Sequence, residues 1–324
     1  MNSTLHGALL SLAAFGVYAS HDVILKTLGA SYAPFQIVFF AVLFGFPMTI
    51  FLLISDKTDG NLRPVHPWWT ALRVGASVVS SASVVFAFST LPLSQVYAIL
   101  FATPLMITIL SIPILGEVIK LRRWLAVIVG LGGVMVVLQP GSAQLGLGHA
   151  AALLGALGSS LASITIRKIG SDERSIVLVL YPMLANFLVM GAILPFVYVP
   201  MPIGDIGWVA LVAILGVVAM SFMIGAYNRA EAVIVAPMQY SQILWATAYG
   251  YFLFGEKLDR ATALGAGIII ASGLYILMRE SRARPDGKKP VLRTTTLRFE
   301  FAGRPRIGDV FRLRRGVPTG NKDD

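Results

Sequence analysis

The chain has 324 residues, of which 56% are hydrophobic and only 13% charged, with a mean hydropathy of +0.77 and a formal net charge of +10. Soluble domains carry about 25% charged residues, so this chain lacks the polar surface to face water and its solvent must largely be lipid. Cysteine is absent, which excludes disulfides and thiolate chemistry, and the four histidines are too scattered to read as a metal site, so neither a metal nor a cofactor is expected.

A membrane-crossing helix needs about 20 apolar residues. Reading apolar runs against their punctuation predicts ten spans, at residues 7–28, 34–53, 68–89, 93–115, 123–138, 147–166, 176–199, 206–227, 232–254 and 261–278. No charged segment precedes the first run and Lys26 stands at its far end, so the run is expected to stay in the mature protein. The links 90–93 and 228–231 are short enough to make their neighbours antiparallel. From Arg279 onward the chain holds 13 of the 26 Lys and Arg and six of the 16 Asp and Glu, for a net +7 against +3 elsewhere. No basic globular domain exists to read nucleic acid. Residues 280–324 are read as a disordered basic cytoplasmic tail, with strand-like alternation at 292–303 that allows a short hairpin; its charge either draws it to anionic lipid heads or leaves it as a solvated tail without a part in transport.

Loop charge sets direction. With the N-terminus inside, the inner loops carry Lys57, Arg63, Arg73, Lys120, Arg122, Arg123, Arg167, Lys168, Arg174, Arg229 and the tail. The outer loops carry only Lys26, Lys257 and Arg260. Both termini are therefore expected in the cytoplasm.

A block ending in Gly-Glu occurs twice. Residues 93–117 read LSQVYAILFATPLMITILSIPILGE and residues 232–256 read AVIVAPMQYSQILWATAYGYFLFGE. A charged loop and a Gly-rich apolar run follow each copy. A fainter match aligns Gly16 with Gly158 and Lys26 with Lys168. Repeats inside hydrophobic spans are the sequence mark of secondary transporters. With five spans per repeat, the loop after Glu117 lies inside and that after Glu256 outside, so the two halves are inverted around a shared site near mid-membrane.

These stretches resemble the drug/metabolite transporter superfamily, and in particular the ten-helix EamA family. The resemblance covers about residues 7–278. It implies an all-α integral membrane protein of two inverted five-helix repeats, residues 1–141 and 142–279, which moves a small metabolite across a bacterial-type cytoplasmic membrane. Many members carry Arg in the second helix, where this chain reads VFFAVLFGFP at 38–47.

Asp22 is the one carboxylate well inside a predicted span, with His21 beside it and Lys26 one turn on, on the same face. Ionisable groups in lipid are costly and mark function by default. Asp22 is read as a proton- or amine-handling group, against the alternative of an interfacial pair with Lys26 reaching for the headgroups. Helical spacing aligns Tyr97, Phe101, Pro104 and Thr108, and the repeat carries Phe101 onto Tyr240 and Thr108 onto Thr247. Gln239, Gln242 and Trp245 lie around Tyr240. Aromatic faces with a few polar groups suit a small organic solute. Ser80 is added from the serine-rich third span, where close helix packing is the competing reading. The substrate site is thus expected from Asp22, His21, Ser80, Tyr97, Phe101, Gln239, Tyr240, Gln242 and Trp245.

Pro104 and Pro237 fall inside the fourth and ninth spans and are expected to kink them. Glu117 and Glu256 are expected to pin short loops. The small-residue spacing of Ala126 with Gly130, and of Ala263, Gly267 and Ala271, fits either intramolecular crossings or a homodimer seam. No GxxxxGK[ST] loop occurs, so direct ATP drive is not expected. The predicted function is a secondary-active, alternating-access transporter. The competing classes are a channel or lipid scramblase and, on weaker grounds, an intramembrane enzyme.

Overall fold

The computed structural model describes residues 3–55, 62–140 and 145–282. The described apolar runs are helical along most of their length. In lipid every backbone N–H and C=O must be satisfied within its own segment, and a helix does this without partners. In chain order the helices are α1 (Ser3–Gly29), α2 (Pro34–Ser55), α3 (Pro67–Thr90), α4 (Leu93–Leu100), α5 (Thr103–Leu115), α6 (Leu121–Leu138), α7 (Leu147–Ile169), α8 (Ser175–Val197) and α9 (Ile203–Tyr227). Then come α10 (Ala232–Val235), a 3₁₀ turn over Ala236–Ser241, α11 (Gln242–Phe254) and α12 (Arg260–Arg282).

Two predicted spans are broken rather than kinked. The fourth divides into α4 and α5 at Phe101 and Ala102, with Pro104 in the first turn of α5. The ninth divides into α10, the 3₁₀ turn that carries Pro237, and α11. Each proline removes an N–H donor and crowds the preceding turn, and in both halves the helix yields there. Among the described residues eight helices, counting α4 and α5 as one, are long and apolar enough to cross a membrane; α2, with a shorter apolar stretch over Pro34–Pro47, and the broken α10–α11 account for the other two of the ten predicted spans. Most of the predicted tail, from residue 283, lies outside the described residues.

Both copies of Gly-Glu end their helix in the same way. Gly116 and Gly255 take positive φ of 69° and 65°, a left-handed stop that glycine adopts without Cβ strain. The next amide folds back, Glu117 N to Ser111 O at 3.2 Å and Glu256 N to Gly250 O at 2.8 Å.

The pairing of helices shows a pseudo-two-fold relation. α1 packs on α9 and α3 on α7, which are equivalent once the halves are exchanged; α2 packs on α8 and α6 on α12, which map onto themselves. Equivalent contacts fall at opposite ends of the bundle. Tyr32, after α1, donates to Asp205 in the first turn of α9 at 2.5 Å. Its counterpart is Asp172, after α7, 3.2 Å from His66 just before α3. These bonds raise the Tyr32 pKa and lower that of Asp172. Gln36 exchanges two hydrogen bonds with Val199 at the first end, and Tyr181 donates to Leu62 O at the second. The two halves are therefore inverted, as five spans per repeat require.

Small residues set the close crossings. A Cβ on Gly265 of α12 would meet Gly133 O of α6 at 2.6 Å and Val137 N at 3.0 Å, and Ser272 donates to Ala126 O at 2.5 Å. Ala126 and Gly130 thus serve the α6–α12 seam. Ala263, Gly267 and Ala271 face outward, and nothing lies within 4 Å of a Cβ at Gly267. Overpacking a tight seam costs about 1–3 kcal/mol. Gly265→Val is expected to lower the melting temperature of detergent-purified protein accordingly, whereas Gly267→Ala should melt as the parent does.

Candidate functional site

α1 brings His21 and Asp22 into the interior. Asp22 is fully buried, with Oδ1 2.8 Å from His21 Nδ1. Its Oδ2 accepts the hydroxyl proton of Tyr97 from α4. The interfacial pair of Asp22 with Lys26, the alternative reading of the sequence, is not made. Lys26 Nζ lies 2.7 Å from Glu256 Oε1 and donates to Leu91 O at 2.6 Å. The reason is depth along the helix: Asp22 is met by His21 and by Tyr97 of α4, while Lys26, one turn further on, reaches the corner beyond α11.

An aromatic chain continues from Tyr97. Its ring centroid is 5.7 Å from Phe88 and 6.3 Å from Phe101. Phe101, at the break between α4 and α5, meets Tyr240 edge-to-face at 5.1 Å and 84°. Tyr240 lies in the 3₁₀ turn of the second half. The residues that the repeat makes equivalent are therefore in direct contact, and the two broken helices cross at their breaks. Gly273 admits Tyr240: a Cβ there would stand 2.0 Å from the Tyr240 hydroxyl oxygen.

α11 supplies the polar edge. Gln242 is buried and Trp245 half-buried. Gln242 Nε2, Trp245 Nε1 and Ser241 Oγ are buried atoms with no hydrogen-bond partner among the described residues. Such groups normally cost about 1–3 kcal/mol each, so three within five residues, from the end of the 3₁₀ turn into the first turn of α11, are unusual in a finished core. Trp245 stacks with Tyr249 at 6.4 Å and lays its indole edge against Gly16 of α1. The Tyr249 hydroxyl lies 2.9 Å from Ser20 Oγ.

Of the expected site residues, His21, Asp22, Tyr97, Phe101 and Tyr240 join into one connected group. Gln242 and Trp245 stand on α11, which packs on α4 and α1. Gln239 is half-buried in the 3₁₀ turn. Ser80 belongs to a helix seam: its hydroxyl engages Gly155 O at 3.0 Å and Ser159 Oγ at 2.7 Å, both on α7. Thr108 and Thr247 each donate to a carbonyl four residues back, an alike but local use. Sequence reading stopped at Trp245 and missed Tyr249, although an i, i+4 step places it on the same face. It also counted Arg73 as a loop cation. Arg73 is fully buried in α3 and donates to Leu178 O at 2.7 Å and Ala162 O at 3.2 Å.

The fold and its central crossing define a multi-pass integral membrane protein built from inverted repeats with broken helices at the centre. The EamA-like transporter family matches residues 5–139 and 146–278, and the chain belongs to that family. Its curated relatives are transporters rather than enzymes. It is 24% identical to an S-adenosylmethionine uptake transporter of Rickettsia prowazekii (strain Madrid E), over 85% of this chain and 92% of that one. It is 26% identical to a riboflavin transporter of Vibrio cholerae serotype O1, over 86% and 95%. A solved crystal structure, 18% identical, shares the fold with a TM-score of 0.56 over 87% of this chain and 99% of its own.

Tyr97→Phe removes a donor from the buried Asp22 carboxylate, a loss of about 1–3 kcal/mol. A lower melting temperature in detergent is the expected result.

Proposed function

We propose that the protein is a secondary-active, alternating-access carrier for a small organic metabolite, with its site at the crossing of the two broken helices. The observation that carries this reading is the set of buried, unpartnered polar atoms on Ser241, Gln242 and Trp245 beside the aromatic group. A solute that stacks on Trp245 and Tyr249 and presents acceptors to these donors would satisfy them. The relatives' names point the same way. S-adenosylmethionine is a nucleoside-type compound and riboflavin a vitamin, and each has a flat heteroaromatic ring edged with acceptors. An amino acid would meet Asp22 through its amine. Loop charge supports a cytoplasmic-membrane setting with both termini inside. Asp22, shared between His21 and Tyr97, is the group placed to couple transport to protons.

The first test is a thermal-shift screen of purified protein against flavins, purine nucleosides and amino acids. Ligand at about 100 times its Kd should stabilise by about 2.7 kcal/mol. Gln242→Leu should abolish that shift without lowering the melting temperature of the ligand-free protein, because it replaces an unpaired buried amide by an apolar group. A Gln242→Leu protein that melts low and still responds to ligand removes Gln242 from the site.

In proteoliposomes, uptake of the identified solute should saturate and show counterflow. Non-saturating currents would indicate a channel, and movement of labelled lipid in empty vesicles a scramblase. Asp22→Asn should flatten the response of uptake to a pH gradient. An unchanged response in that variant would refute proton coupling through Asp22.

A further inference from the structure

Glu117 and Glu256 were expected to pin loops. Each instead reaches the first helix of the opposite half. At one end, Glu256 Oε1 lies 2.7 Å from Lys26 Nζ of α1, and Glu256 Oε2 accepts the Leu93 N–H at 2.9 Å. Lys26 also donates to Leu91 O, and its ammonium stands 5.3 Å from the Phe254 ring centroid. One ion pair thus fastens α1, the α3–α4 corner and the end of α11. At the other end, Glu117 Oε1 lies 2.5 Å from Arg167 Nη2 on the last turn of α7. Arg167 directly precedes Lys168, the residue that the repeat aligns with Lys26.

The two pairs are one device built twice. In each, a left-handed glycine turns a carboxylate back across the helix end, and a cation from the other half meets it. They are also mostly shielded from water, with side chains 13% and 16% exposed at the first end and 16% and 20% at the second. A partly buried pair resists loss of one partner far more than a surface pair does, because the remaining charge is left uncompensated. Between the two ends lie Asp22, Tyr97, Phe101 and Tyr240. In an inverted repeat, whatever closes one end of the central site has its counterpart at the other.

We propose that Lys26–Glu256 and Arg167–Glu117 are the two alternating latches of the transport cycle. Each ties the Gly-Glu corner of one half to the first helix of the other, and each must part for its own end to open. This rests on the carrier reading above. It assigns the repeated Gly-Glu a role in the cycle rather than in loop structure alone. Both latches are formed in this structure. Breaking one shifts the balance towards the state open at that end, by as much as the pair favours closure.

Because the chain contains no cysteine, a single reporter thiol needs no background removal. Ser20→Cys places one between the latches. Its labelling by a membrane-impermeant maleimide is measured in right-side-out and inside-out vesicles without added solute. Glu256→Gln is expected to raise labelling from the Lys26 side about tenfold, and Glu117→Gln to raise it about tenfold from the opposite side only. Lys26→Gln breaks the first latch from its other partner and must act as Glu256→Gln does; it decides the matter if the latter fails to fold. The charge exchange Lys26→Glu with Glu256→Lys should return labelling towards the parent level. Labelling that rises on neither side, or on both sides equally for each variant, overturns the latches. Because labelling reads opening without transport, latch-dependent labelling in a protein that carries no solute would sink the carrier reading and leave the latches standing. Intact counterflow with latch-independent labelling would do the reverse.

Discussion

Everything in this protein follows from the cost of an unsatisfied backbone group in hydrocarbon. Helices meet that cost locally, and a broken helix meets it only where other protein surrounds the break. The chain breaks two spans, between α4 and α5 and between α10 and α11. It sets the breaks against each other, with Phe101 on Tyr240. At the centre of the bundle irregular backbone, buried polar atoms and aromatic rings consequently gather. A site located there is a result of membrane physics as much as of side-chain choice.

Inversion multiplies the effect of each such solution. Five spans per repeat force equivalent contacts to opposite ends, and the structure shows them in pairs. Tyr32–Asp205 answers His66–Asp172, and Lys26–Glu256 answers Arg167–Glu117. The symmetry is not perfect, since Tyr32 donates from a phenol where Asp172 offers a carboxylate. What is kept is position and the presence of a polar tie, which is what holding a helix end requires. The seams between halves use small residues in the same spirit. Gly133 and Gly265 bring α6 and α12 to backbone contact, where no hydrophobic force distinguishes helix from lipid and packing must do the work.

The site was legible in part. Asp22 stood out because charge in an apolar run is rare, and Tyr97, Phe101 and Tyr240 because they recur at helical and repeat spacing. Neighbour relations across the bundle were not legible. Ser80 looked like a cavity residue from its hydroxyl, yet that hydroxyl is occupied by Gly155 and Ser159 across the α3–α7 seam. Lys26 looked like a partner for Asp22, four residues away, and its real partner is 230 residues on. Ala263, Gly267 and Ala271 had the spacing of an intramolecular crossing, but it is Gly265 and Ser272 that α12 turns towards α6. In each case the sequence shows what a residue can do, and the packing of its helix against the others decides with whom.

What the amino-acid sequence determined by itself was the solvent, the number of spans and their antiparallel course. Apolar length, charge placement and helix-breaking residues act over one or two turns, so they can be read along the chain. The Gly-Glu repeat added the inversion, because an odd number of crossings leaves no other arrangement. Only the tertiary structure decided that the two breaks touch, that Asp22 is held by His21 and Tyr97, and that Ser241, Gln242 and Trp245 keep buried atoms unpaired. These depend on how helices are rotated and stacked against one another. That is set by the sum of many weak packing contacts between residues far apart in sequence, and no local pattern records it.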